Sequence, residues 1–231
     1  MPRLPRPVAD GLLYHALNRG NNRAAVFAAP ADYRAFLAAL AQTQGRYPFG
    51  LYGYCLMTNH FHLLLAPEPG VSISRVLQSL TVAHTWRYHR GRGSVGHVWQ
   101  GRFKSPIVQD DEHALIVLRY IEANPLRAGM VSDLADYPWS SYQAHGEGRG
   151  DALLRPLAAW EALGRGEQER QAHWRRWAHT PLTERERAAV RQAVVSGRPF
   201  GAATWVEQTA SVIGLPLCQR TRGRPRKDLQ K

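Results

Sequence analysis

A tight connection between two apolar segments constrains the fold more than any other feature of this sequence. Phe49–Met57 is apolar and aromatic, and residues 60–66 are apolar after two histidines. Only Thr58 and Asn59 separate the two segments, which is enough for a turn but not for a crossover connection. The segments are therefore predicted to pair as a hairpin, and the fold is predicted to contain an antiparallel sheet.

Further strands and helices alternate around this hairpin. Five segments have the periodicity of strands or helices: strands at 12–18 and 102–109, and helices at 31–47, 71–90 and 110–123. The resulting order is strand, helix, strand, strand, helix, strand, helix, which is typical of a split βαβ arrangement. The sequence therefore predicts an α+β fold with a ferredoxin-like antiparallel sheet that carries helices on it.

The composition changes near residue 145, where closely spaced glycines indicate a flexible joint. Residues 1–145 are predicted to form the main domain. Residues 146–219 are predicted to form a small helical extension, because they have helical patterns and no strand signal. Residues 220–231 are predicted to be a basic, flexible tail that is able to contact nucleic acid.

The charge balance indicates a polyanionic partner. The chain has 30 Lys and Arg against 18 Asp and Glu, which gives a formal net charge of +12 at pH 7. Nucleic acid is the commonest partner of so basic a protein, although a merely soluble basic protein has the same balance.

The cysteines and the apolar segments indicate the cellular compartment of the protein. Cys55 and Cys218 are far apart and form neither a disulfide framework nor a zinc cluster. No apolar segment is long enough for a signal peptide or a membrane span. We therefore expect a cytoplasmic, nucleoid-associated protein with no membrane contact.

His60 and His62 are candidate metal ligands. Residues two apart on a strand point to the same face, so both imidazoles would point one way and Phe61 the other. Two neutral imidazoles on one face favour a divalent metal. Two partly buried histidines bonded to the backbone would give the same pattern.

Tyr120 and Asn124 are candidates for a nucleophile and a third metal ligand. Four residues apart on a helix, they would present a phenol and an amide on one face. A packed tyrosine and a helix-ending asparagine are the plainer alternative. Tyr14 and Asn18 have the same spacing, but on a strand that spacing separates them by about 13 Å. Tyr120 is therefore preferred over Tyr14.

Two loops and the tail combine cations with aromatic and amide side chains. This combination suits single-stranded nucleic acid, because cations bind phosphate and aromatic rings stack on bases. A solvated surface would also be rich in such residues. The candidate DNA contacts are Asn18, Arg19, Asn22, Arg23, Trp99, Gln100, Arg102, Lys104, Arg224, Arg226 and Lys227.

These motifs, in this order, resemble the REP-associated tyrosine transposases, a branch of the single-tyrosine HUH superfamily named for histidine, hydrophobic residue, histidine. The resemblance covers residues 14–145 and extends to the tail. The matching stretches are 14–15 (YH), 18–23 (NRGNNR), 56–64 (LMTNHFHLL), 99–105 (WQGRFKS), 120–129 (YIEANPLRAG), 139–142 (WSSY) and 223–227 (GRPRK).

The resemblance implies a role for each site residue. His60 and His62 would hold Mg²⁺ or Mn²⁺, and Asn124 stands where related transposases often carry a glutamine ligand. Tyr120 would attack a phosphate of a single-stranded DNA hairpin, a short repetitive palindrome, and form a 5′-phosphotyrosine. A second 3′-hydroxyl would then rejoin the strands without ATP.

Two other functions remain compatible with the sequence. One is a nucleic-acid binding module whose histidines are structural. The other is a metal-dependent nuclease that uses water instead of Tyr120. The sequence leaves the oligomeric state open.

Overall fold

The computed structural model of the protein describes residues 11–215. Three predicted DNA contacts, Arg224, Arg226 and Lys227, lie outside these residues. The strands are β1 (Leu13–Arg19), β2 (Phe49–Met57), β3 (His60–Pro67) and β4 (Ile107–Val108). The helices are α1 (Pro30–Arg46), α2 (Ile73–Arg92), α3 (Glu112–Glu122), α4 (Asn124–Arg127), α5 (Tyr142–His145), α6 (Ala158–Glu161), α7 (Glu167–His179), α8 (Glu184–Ser196) and α9 (Ala203–Val212).

The four strands form one sheet in the order β2-β3-β1-β4, and each neighbouring pair is antiparallel. β2 and β3 pair through the predicted two-residue turn, with Met57 opposite His60. The sheet order and the helices confirm the predicted α+β fold with a ferredoxin-like antiparallel sheet.

The fourth strand is much shorter than predicted. Residues 102–106 do not belong to it, although Lys104 exchanges two backbone hydrogen bonds of 2.9 Å with Leu17. Pro106 has no N–H to donate, so it contributes only its carbonyl, which accepts from the N–H of His15. The segment therefore follows β1 irregularly and becomes a regular strand only at Ile107.

Side chains of β3 alternate between two hydrophobic layers. Phe61, Leu63 and Leu65 pack into the cluster that α1 and α2 cover. Leu64 packs into the other cluster, with Leu118 and the rest of α3. Because β3 is buried on both faces, its register decides which residues face α3, and a shift of one residue would exchange the two sets.

Helix α3 begins with a side-chain cap and ends earlier than a simple proline stop would suggest. Asp111 accepts a hydrogen bond of 2.8 Å from the N–H of His113. The helix breaks at Ala123, and Asn124 starts the separate helix α4 with Pro125 in its first turn. Helix α3 therefore ends one residue before its predicted end at residue 123, and Pro125 is well accepted in the first turn of α4.

The helical extension packs directly on α3. Trp160, Trp174 and Val190 share one hydrophobic cluster with Leu118 and Ile121. The division at residue 145 stays a prediction, but the two parts share a core across it. Within residues 11–215, no helix is both long and apolar enough to cross a membrane.

A buried carboxylate joins α3 to the extension. Glu122, at the end of α3, is 0% exposed. Its oxygens accept hydrogen bonds from Nε1 of Trp174 at 2.7 Å, from Nδ1 of His145 at 2.6 Å and from the hydroxyl of Ser141. The Ser141 hydroxyl in turn accepts from the backbone N–H of Tyr54 on β2 at 2.9 Å. Glu122 therefore connects the sheet, α3, α5 and α7.

Replacing Glu122 with alanine is expected to lower the free energy of unfolding by about 3 kcal/mol, because three buried donors lose their acceptor. Urea unfolding followed by tryptophan fluorescence measures this change. The control is Glu161→Ala, at an exposed position of α6, which should change stability by less than about 0.5 kcal/mol. Equal effects of the two substitutions would contradict the proposed connecting role.

Candidate active site

Nine of the predicted site residues line one pocket of about 620 Å³. They are Asn18, Arg19, His60, His62, Gln100, Arg102, Lys104, Tyr120 and Asn124. Residues that the sequence-based prediction missed complete the lining, namely Leu17, Arg127, Arg191, Val194 and Val195. Residues from β1, β3, α3, α4, α8 and the segment before β4 therefore meet at one place.

Three predicted DNA contacts lie outside this pocket. Asn22 and Arg23 are exposed on a short 3₁₀ turn, and both have positive φ angles, of 49° and 59°. Trp99 is half-buried, and its indole N–H donates to the carbonyl of Thr81 at 3.2 Å. Its ring also packs against Phe61, with 5.4 Å between ring centroids. Trp99 thus has packing contacts in addition to any contact with a ligand.

His60 and His62 lie side by side on β3, with 5.0 Å between their ring centroids. Burial first, and then the charges of Arg19 and Arg127, together lower the pKa of His60 to about 4. Burial also holds the pKa of His62 well below its ordinary value. Both imidazoles are therefore neutral at pH 7, which is the form that binds a metal.

Each of these histidines has a partner for its Nδ1 atom. Nδ1 of His60 donates to the amide oxygen of Asn59 at 2.7 Å. Nδ1 of His62 lies 2.9 Å from Nε2 of His15. With both Nδ1 atoms protonated, the Nε2 lone pairs are left for a ligand, and no other residue in the described part of the chain bonds them.

His15 is a functional candidate that sequence reasoning missed as an individual residue. It lies on β1 and is almost completely buried, and burial lowers its pKa to about 3. In the sequence it stands out only as part of the matching stretch 14–15 (YH). A histidine inside an otherwise apolar buried strand was the available signal, since such a group needs a buried partner.

Asn124 lies in the pocket, but its amide group already has partners. The amide nitrogen donates to the carbonyls of Tyr120 at 3.1 Å and Ile121 at 3.2 Å. The amide oxygen accepts a hydrogen bond from the Arg127 guanidinium. Asn124 would have to give up that bond to bind a cation, so its role as a metal ligand stays a prediction.

The described part of the chain has no ready-made site of three acidic, histidine or cysteine ligands. Among residues 11–215, no three His, Cys, Asp or Glu side chains are arranged to hold a metal ion. The two free Nε2 atoms are a suitable donor set for part of a divalent site only. Oxygen atoms from Asn124, water or a substrate would have to complete it.

Tyr120 is positioned against the histidines and one arginine. Its side chain is 8% exposed, and its ring centroid lies 5.9 Å from those of both His15 and His62. The guanidinium carbon of Arg127 lies 4.4 Å from the Tyr120 ring centroid. Tyr14, in contrast, is 1% exposed and packs in the cluster on the other face of the sheet.

The pocket has a strongly positive lining. Arg19, Arg102, Lys104, Arg127 and Arg191 contribute five cations, and none of its lining residues is Asp or Glu. Burial lowers the pKa of Arg127 from its ordinary value, yet an arginine stays charged at pH 7. Such a cavity attracts phosphate groups.

Comparisons with known proteins show the family of the chain and its fold. The family model "Transposase IS200 like" matches residues 9–124. A Haemophilus influenzae protein named "Putative REP-associated tyrosine transposase" is 29% identical over 117 residues, which are 46% of this chain and 66% of that protein. The match therefore spans slightly less than two thirds of that relative.

One solved structure shares the fold. It is a REP-associated tyrosine transposase bound to a REP hairpin, with a TM-score of 0.55 at 20% identity. The similarity covers 68% of this chain and 90% of that one. At 20% identity this similarity shows a common fold. It does not assign roles to individual residues.

The burial of His15 predicts a loss of stability in acid. Below pH 6.5 an unfolded chain protonates this histidine, whereas the folded chain keeps it neutral down to about pH 3. The unfolded state then binds more protons, so stability falls as the pH falls. Between pH 7 and 4.5 the wild-type protein should lose about 2 kcal/mol more than a His15→Gln variant, as measured by urea unfolding. Parallel pH profiles would contradict a buried, neutral His15.

Proposed function

Because this chain belongs to the family of IS200-like transposases, we propose that it cuts and rejoins single-stranded DNA through a covalent bond to Tyr120. One observation carries the proposal. The Tyr120 phenol shares a pocket with two neutral histidines and five cations. A nucleophile, a seat for a divalent ion and a binding site for phosphate are therefore close together.

The proposed substrate is a DNA hairpin formed by a short palindromic repeat. This substrate class is supported by the REP hairpin bound to the transposase of similar fold. The pocket residues proposed to contact DNA are Asn18, Arg19, Gln100, Arg102 and Lys104. Asn22, Arg23 and Trp99 would contact the strand beyond the pocket, and the tail residues Arg224, Arg226 and Lys227 would add charge.

His60 and His62 are proposed to hold Mg²⁺ or Mn²⁺ through their Nε2 atoms, with Asn124 as a third ligand. Such an ion, when bound, acts as a Lewis acid toward an oxygen of the scissile phosphate. Asn59 and His15 orient the two imidazoles through their Nδ1 atoms. The bond to the Asn59 oxygen fixes the tautomer of His60, and donation from Nδ1 of His62 to Nε2 of His15 would leave the Nε2 lone pair of His62 for an ion in the same way.

In the proposed step, the phenol oxygen of Tyr120 attacks the phosphorus atom in line with the departing oxygen. A bond forms between that oxygen and phosphorus, and the bond from phosphorus to the 3′-oxygen of the preceding nucleotide breaks. The phenol gives up its proton and the departing oxygen takes one up, so a 3′-hydroxyl and a 5′-phosphotyrosine result. A second 3′-hydroxyl reverses the step and joins strands.

Arg127 is proposed to stabilise the negative charge that develops on the phenol and phosphate oxygens. Its guanidinium lies beside the Tyr120 ring and donates to the Tyr120 carbonyl at 3.3 Å, a hydrogen bond that stays available when Asn124 turns to the ion. A partly buried cation fixed before the reaction stabilises developing charge more than a mobile one does.

A covalent adduct assay tests the function. The protein is incubated with hairpin oligonucleotides labelled on either side of the cut and with Mn²⁺, and a denaturing gel is run. We expect a protein band that carries the label 3′ of the cut and that disappears with EDTA and in Tyr120→Phe. The control Tyr14→Phe should keep the band, because Tyr14 lies on the other face of the sheet. Cleavage by Tyr120→Phe would favour a water-using nuclease, and binding without cleavage a binding module.

Replacing Arg127 with glutamine is expected to lower the cleavage rate by about 10²-fold, as loss of a transition-state donor does elsewhere. Single-turnover cleavage at saturating DNA measures the rate separately from binding. The control is Arg165→Gln, an exposed arginine outside the pocket. An unchanged rate in Arg127→Gln, with an unchanged unfolding transition, would remove Arg127 from the mechanism.

A further inference from the structure

Helix α8 of the extension reaches the active site. Three of its residues, Arg191, Val194 and Val195, line the same pocket as Tyr120 and the two histidines. The helix lies well beyond residues 9–124, the part of the chain that the family model matches. The family match therefore says nothing about this wall of the pocket.

The position of α8 is fixed against α3. Arg119 of α3 donates to Glu186 of α8 at 2.7 Å, and its side chain is only 4% exposed. Burial alone would raise the pKa of Glu186, but hydrogen bonds from Thr183 and the charge of Arg119 outweigh it and keep the pKa low. Val190 and Ala193 are buried in the cluster that contains α3. The same helix that carries Tyr120 thus orients α8.

Arg191 provides an uncompensated charge at this wall. No salt bridge to Arg191 occurs in residues 11–215, and no acidic residue lines the pocket. Its charge is close enough to Arg127 to add to the effect of burial on the pKa of that residue. Two guanidinium groups facing one cavity repel each other, and an anion between them relieves the repulsion.

Valines continue this surface beside Arg191. Val194 is half-buried and Val195 is 61% exposed, although both line the pocket. Residues 191, 194 and 195 are three and four positions apart, so they share one face of the helix. A cation next to an apolar strip matches a nucleotide, which combines a charged phosphate with an apolar sugar and base.

We propose that α8 is a second wall of the DNA site, where Arg191 binds a backbone phosphate next to the scissile one and Val195 packs against the adjoining nucleotide. The inference rests on the proposed function for the identity of the ligand as single-stranded DNA. It gives the extension a direct part in substrate binding. It also explains why α8 is tied to the helix that carries the nucleophile.

Equilibrium binding in a Tyr120→Phe background tests this inference without covalent chemistry. The probe is a labelled DNA hairpin with a single-stranded flank, titrated at several salt concentrations. Arg191→Ala should weaken binding about tenfold at 0.1 M salt, as loss of one charged hydrogen bond would. The slope of log affinity against log salt should fall by about 0.7, the value for one phosphate of a single strand.

Matched variants identify the cause of such a change. Arg191→Lys should keep the wild-type salt slope because it keeps the charge. Arg185→Ala removes an exposed arginine of the same helix that does not line the pocket, and it should keep both affinity and slope. Val195→Asp should weaken binding several-fold, whereas Val195→Leu should not. Urea unfolding of each variant shows whether α8 is intact.

The outcomes separate this inference from the proposed function. If Arg191→Ala binds DNA like Arg185→Ala, or binds it more tightly, α8 does not hold the strand and the inference is wrong, whatever the adduct assay shows. If Arg191→Ala loses affinity and salt slope while the wild type never forms an adduct, α8 binds DNA and the tyrosine chemistry is wrong.

Discussion

The two-sided burial of β3 is the constraint on which the rest of the structure depends. Its odd-numbered side chains fill the layer under α1 and α2, and its even-numbered ones face α3. His60 and His62 therefore lie on the α3 side only because Phe61 and Leu63 occupy the other side. A one-residue slip would place the imidazoles in an apolar layer and the Phe61 ring in the pocket, so packing of the core maintains the geometry of the candidate site.

Helix α3, the second element of the site, is held in place by hydrogen bonds in the protein interior. Tyr120 faces the pocket, while Glu122, two residues later, points into the interior and accepts hydrogen bonds from α5, α7 and the loop beside β2. The position of Tyr120, the proposed nucleophile, depends on the position of the helix that carries it. The buried carboxylate and the Arg119–Glu186 ion pair fix both the rotation of α3 and the position of α8. The extension thus helps to hold the candidate active site in place.

Much of this arrangement could be predicted from the sequence, because periodicity and order depend on local residues. The hairpin, the common face of His60 and His62 and the helix of Tyr120 follow from patterns within short segments. The resemblance to REP-associated tyrosine transposases, confirmed by the comparisons, follows from the order of several motifs. The short fourth strand could not be predicted, since its irregular part depends on how residues 98–106 meet β1.

Residues whose roles depend on contacts distant in sequence also escaped prediction. His15 matters because the register of β1 against β3 places it beside His62, 47 residues away. Glu122 and Trp174 are 52 residues apart, and no local pattern links them. Arg127 was visible in the motif 120–129, but only the break at Ala123 turns α4 so that its guanidinium lies over the Tyr120 ring.

The positive charge around the pocket meets two requirements of the proposed chemistry. Burial first, and then the charges of Arg19 and Arg127, disfavour protonation of His60, so the surroundings that attract phosphate also keep an imidazole neutral. The same positive field opposes a divalent ion held by neutral ligands alone, because none of the lining residues is an acid. A DNA phosphate would supply the missing negative charge. In the proposed function, the ion and the DNA strand therefore support each other's binding, since each offsets the repulsion that the other would meet alone.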